Sequence, residues 1–84
     1  MATYEEFKFK IIWHLFHRHY IGGKHTAIEN VASGLPTSER GACMDVADDL
    51  IKEGWLVPKK TGYGLQVSLN KRMIKEIKQF LIVR

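Results

Sequence analysis

Three of the four histidines stand close together, as His14, His17 and His19, in the pattern H-x-x-H-x-H. On a helix, His14 and His17 lie one turn apart and can offer two imidazole nitrogens to one metal ion. His19 falls on another face, and no carboxylate or cysteine in the segment completes a tetrahedral set. The row therefore reads as solvated imidazoles, and no metal or other cofactor is expected. Catalytic constellations are equally thin. Ser33 and Ser38 fall at a helix end and a helix start, outside any nucleophile-elbow context. Asp48 and Asp49 are adjacent, and helix neighbours do not face a common point. No glycine loop of the phosphate-cradling kinds is present. The lone cysteine, Cys43, sits in an apolar stripe and reads as a small core residue. The chain is expected to bind rather than to catalyse.

Length and composition bound the rest. Eighty-four residues allow one domain, 1–84, with a modest core. An apolar content of 45% with two prolines argues for a folded chain. A single cysteine leaves no internal disulfide and suits a reducing compartment. The acidic start MATYEEF lacks the form of a secretory signal, and charges break every apolar run short of a membrane span. The expected setting is soluble and cytoplasmic. The net charge of +4 is unevenly spread. Segment 38–54 has a balance of −3, whereas 57–84 has a balance of +6.

The elements that must carry these side chains follow from periodicity and punctuation. A first helix is expected over about 4–20, closed by Gly22-Gly23. Tyr4, Phe9, Ile11, Ile12, Trp13, Leu15, Phe16 and Tyr20 cover about 200° of its wheel, with Phe7 just off one edge. That arc is wider than one neighbour can cover, so it asks for a C-terminal helix or a second copy of the chain. Thr26 and Glu29 form a capping-box pattern that predicts a helix over about 27–33, with Ile28, Val31 and Ala32 inward. Gly34 and Pro36 end it. Thr37 or Ser38 then caps a helix over about 38–54, stopped by Gly54. Its inward stripe is Cys43, Val46, Ala47, Leu50 and Ile51, which puts Gly41, Asp45, Asp48 and Lys52 outward. Strands are expected at Trp55–Pro58 and Leu65–Leu69, joined by a turn of Lys59 to Gly64. Asn70 caps a last helix over about 71–82, with Met73, Ile74, Ile77, Phe80 and Leu81 on one side.

Two helices joined by a tight Gly-Leu-Pro turn, ending in Glu53-Gly54-Trp55-Leu56 and followed by a hairpin, resemble the winged helix-turn-helix family. The resemblance covers roughly 25–69, and its most specific part is the run EGWLVPKKTGYGLQVSLN. It implies an α+β fold, mainly α with a small antiparallel hairpin, in the order helix, short strand, helix, helix, strand, wing, strand, helix. The short strand would be Lys24-His25-Thr26, added to the wing sheet. The resemblance also implies double-stranded DNA as partner, with the second helix of the motif in the major groove and the wing on the flanking backbone. Carried onto this chain, Thr37, Ser38 and Arg40 stand at the start of that helix, where free N–H groups and hydroxyls hold a phosphate. Lys59, Lys60 and Tyr63 line the wing, and Lys24 and His25 assist from the neighbouring strand. A transcriptional regulator acting as a homodimer through the first and last helices is the implied assembly.

The chain departs from that pattern on the outward face of the motif's second helix. Asp45 and Asp48 stand where groove-reading proteins often place Arg, Lys, Asn or Gln, although an aspartate can accept from a cytosine amino group. Gly41 on the same face permits close backbone approach and weakens the helix by about 1 kcal/mol relative to alanine. An alternative follows from these charges: a winged-helix protein-interaction module whose acidic face of Asp45, Asp48 and Asp49 meets a basic partner without DNA contact.

Overall fold

Thr3 opens the first helix, α1 (Tyr4–His17), in the computed structural model, which describes residues 2–83. Its hydroxyl accepts from the Glu6 N–H at 3.2 Å, and the Glu6 carboxylate accepts from the Thr3 N–H at 3.0 Å. This reciprocal cap satisfies two donors that the first turn leaves without an intrahelical partner. The helix ends at His17 rather than near Tyr20. His19 adopts φ 61°, and the Tyr20 carbonyl accepts from the Leu69 N–H at 2.8 Å. Pairing with a later strand takes Tyr20 out of the helix, before Gly22-Gly23 can act as a stop.

The next stretch forms a short strand, β1 (Thr26–Ala27), and a 3₁₀ turn at Ile28–Ala32, where an α-helix over 27–33 was expected. Thr26 pairs with Val67, which commits its backbone to extended geometry, and its hydroxyl accepts from Asn30 Nδ2 at 2.9 Å. The capping box therefore does not form. Five residues are too few to nucleate an α-helix against that competition. Ile28, Val31 and Ala32 still face the core. The added strand begins two residues later than Lys24-His25-Thr26 would place it and shares only Thr26 with that segment.

The second helix, α2 (Thr37–Lys52), follows Pro36 directly. Neither Thr37 nor Ser38 is its cap, because both are already helical and no side chain caps the end. Cys43, Val46, Ala47 and Leu50 are buried, Ile51 is half-buried, and Gly41, Asp45, Asp48 and Lys52 are exposed. Gly54 at φ +87° ends the helix, and the Trp55 N–H returns to the Leu50 carbonyl at 2.9 Å.

Strands β2 (Leu56–Thr61) and β3 (Gly64–Leu69) are longer than expected and leave only Gly62 and Tyr63 between them. Lys59 and Lys60 thus belong to β2 and not to the turn. Of the two turn glycines, Gly64 alone takes a positive φ, at +115°. The Thr61 hydroxyl holds the turn by donating to the Gly64 carbonyl at 2.9 Å and accepting from the Tyr63 N–H at 3.1 Å. The sheet is antiparallel with strand order β1-β3-β2.

Asn70 caps the last segment by accepting from the Arg72 N–H at 3.0 Å, but the first turn is 3₁₀ (Lys71–Met73) before α3 (Ile74–Val83) begins. The described chain is therefore α+β, with three α-helices and a three-stranded antiparallel sheet, rather than four α-helices. Helix α3 covers part of the wide arc of α1. Ile77 is fully buried, and the Phe80 ring lies 6.2 Å from that of Phe9. Phe7, placed just outside the arc by its wheel angle, is buried at the start of α1. Trp13 remains 47% exposed, and Ile82 and Val83 are exposed at the end of α3.

Candidate nucleic-acid interface

The base of β3 is buried at Val67, Ser68 and Leu69, whereas β2 exposes four successive residues, Val57 to Lys60. A strand exposed on both faces has left the body of the domain, so the outer half of the hairpin projects into solvent. Tyr63 at its tip is 100% exposed.

Register decides which cations meet. Lys60 lies opposite Leu65, and Lys59 lies opposite Gln66. Side chains alternate faces along a strand and share a face when directly opposed. Lys60 therefore stands on the Leu65, Val67, Leu69 face, continuous with the core. Lys59 stands on the other face with Gln66. There the His25 imidazole is hydrogen-bonded to the Gln66 side chain, which brings His25 to the face of the sheet that carries Lys59. Lys24, the residue before His25, has its Nζ 5.4 Å from the centroid of the Tyr20 ring. Gln66 was missed in the sequence, because alternation marks it only as an outward polar residue.

Thr37, Ser38 and Arg40 are exposed in the first turn of α2. The end has no side-chain cap, which leaves backbone N–H groups there without a capping oxygen. Arg40 is turned back toward the segment before α2, where its Nε donates to the Leu35 carbonyl at 3.1 Å. Gly41 and Ala42 follow on the exposed side, and nothing lies within 4 Å of a Cβ built on Gly41. Asp45 and Asp48 come later along the same helix. At about 1.5 Å per residue, Asp45 is about 12 Å beyond Thr37.

Asp49 is only half-exposed and belongs to a different arrangement. Desolvation, the negative charges of Asp49 and Glu53, and a hydrogen bond to Asp49 push the Tyr4 phenol above its ordinary value. The acidic side of α2 is thus partly occupied by the start of α1. Burial also raises the Cys43 thiol, which is inaccessible and free. Among the described residues, no group of three His, Cys, Asp or Glu side chains is placed to hold a metal ion. No helix of the described residues is long and apolar enough to cross a membrane.

Other cations lie on two further surfaces. Lys71 and Lys78 line a depression of about 510 Å³ with His19 and the Gly22-Gly23 backbone. Lys8, which periodicity left unassigned, places its Nζ 4.2 Å from the Trp55 ring centroid and 4.8 Å from that of Phe80. Comparison with family models, curated proteins and solved structures returns no match.

Proposed function

We propose that the chain is a winged helix-turn-helix domain that binds duplex DNA through its wing and the first turn of α2, as a small transcriptional regulator. The observation that carries this reading is the projecting hairpin, with Lys59 and Lys60 on its two faces and a fully exposed Tyr63 at its tip. A ribbon with a cation on each face can enter a groove and meet the phosphates of both walls. His25 extends the Lys59 side, and Lys24 adds a charge near it. The uncapped start of α2 supplies N–H groups and the Thr37 and Ser38 hydroxyls for one further phosphate. Contact by this end, rather than along the helix, keeps Asp45 and Asp48 out of the densest phosphate array.

Such an interface makes about three to five phosphate contacts and gives strongly salt-dependent binding. The test is fluorescence anisotropy with random-sequence duplex over a series of salt concentrations. Affinity that ignores salt, or that is unchanged in Lys59→Glu with Lys60→Glu, removes the wing from the interface. Trp13, Ile82 and Val83 are among the exposed apolar side chains of α1 and α3 and are those that a second copy would cover in a homodimer. Sedimentation showing a monomer at high protein concentration rejects that assembly.

The exposure of Asp45 and Asp48 on α2 favours a second reading, an interaction module for a basic protein partner. It predicts no duplex binding even at low salt and loss of the partner on Asp45→Lys with Asp48→Lys.

A further inference from the structure

Between α1, β1 and the first 3₁₀ turn lies a depression of about 240 Å³, lined by His14, Arg18, Tyr20, Thr26, Asn30 and Ser33. Each of these six side chains carries an N–H or O–H donor, and none is a carboxylate. His14 and Arg18 are four residues apart on and just beyond α1, so they lie on one side of it. Asn30 Nδ2 donates one hydrogen to the buried Thr26 hydroxyl at 2.9 Å, which fixes the carboxamide and leaves its second hydrogen for another acceptor.

The charges that act on His14 are all positive. Desolvation first, then the charges of Arg18, Lys10 and His17, hold the His14 imidazole below its ordinary pKa. Glu29 lines the neighbouring depression, where it shares Asn30 and Ser33 with Arg40. A guanidinium among neutral donors, with no carboxylate in the wall, is the arrangement that recognises an oxyanion.

We propose that this depression binds a phosphate-class oxyanion, with Arg18 supplying the charge and His14, Asn30 and Ser33 supplying hydrogen bonds. None of its lining residues belongs to the wing or to the first turn of α2, so the site does not depend on duplex binding. A bound dianion favours protonated His14, and binding therefore draws a proton onto that ring.

The experiment is a ¹H–¹⁵N NMR titration of the full chain at neutral pH with inorganic phosphate, with adenosine 5′-monophosphate, and with sodium chloride at matched ionic strength. Saturating shifts centred on the His14 ring, Asn30 and Ser33 are expected, with a rise in the His14 pKa. Arg18→Gln is expected to weaken binding about tenfold or more, as loss of a charge-assisted hydrogen bond requires. Both Arg18 and Asn30 are exposed, so Arg18→Gln and Asn30→Asp leave the fold intact by circular dichroism, and each lowers affinity. Tighter binding of the nucleotide assigns the site to phosphate esters, and tighter binding of phosphate assigns it to the free ion; either supports the site. Shifts that do not saturate, that chloride reproduces, or that survive Arg18→Gln unchanged overturn it.

Discussion

The His25 imidazole Nδ1 and the Gln66 carboxamide Oε1 are hydrogen-bonded across the sheet, joining the approach to β1 to the middle strand, β3. Gln66 is also the residue opposite Lys59 in the β2–β3 register, so the bond ties the approach to β1 to the strand position that pairs with Lys59. Gln66→Ala is expected to cost about 0.5–1.5 kcal/mol, the usual net value of one neutral hydrogen bond. Urea denaturation measures this, and a loss under a few tenths would show that solvent replaces the bond without penalty.

Lys59 and Lys60 occupy opposite faces of the hairpin, so each is expected to meet a different strand of a bound duplex. Lys59→Ala and Lys60→Ala should each lower the slope of log K against log salt by about 0.9, and the double variant should lower it by about twice that. One substitution without effect would place that lysine outside the interface.

Charge reversal on α2 separates the two functional readings. Asp45→Lys with Asp48→Lys is expected to leave duplex binding intact or to strengthen it, since both side chains are exposed beyond the first turn. Loss of binding by a folded variant would mean that the acidic face itself makes the contact.

His14 makes stability depend on pH with a definite sign. Its pKa lies below the ordinary 6.5 in the fold, chiefly through desolvation and then through Arg18, Lys10 and His17. Between the two values the unfolded chain binds more protons, so stability falls as pH drops below about 6.5 and levels off below the folded pKa. His14→Gln is expected to flatten this share of the profile. Thermal melts of both proteins from neutral to acidic pH provide the check, and superimposable profiles would contradict it.

Ile77 is the only residue of α3 among the described residues that is fully buried. Ile77→Ala is expected to cost about 2–5 kcal/mol through lost transfer energy and the cavity left behind. Hydrogen exchange should then rise first in α3, because few other α3 side chains hold it to α1. Uniform loss of protection would instead show that α3 and the rest of the domain open as one unit.

By itself the chain order of apolar stripes and stops determined the α2 core face, the hairpin, the Asn70 cap and the exposed acidic stripe. Those features are local. Period, glycine and proline act over a few residues, and the fold did not have to override them. The elements that shifted are those with a long-range competitor. Leu69 takes Tyr20 from the end of α1, and Val67 takes Thr26 from its capping box. The same holds for the candidate sites. Side-chain type marked Lys59, Lys60, Tyr63, Thr37 and Ser38, but only the extension of β2 to Thr61 put the two lysines in a strand, on opposite faces. Only tertiary pairing bonded His25 to Gln66, the residue opposite Lys59. The donor-lined depression draws on residues 14–33, from a helix, a loop, a strand and a 3₁₀ turn. No periodicity connects them, because their convergence depends on how the chain doubles back after α1, and tertiary pairing alone decides that.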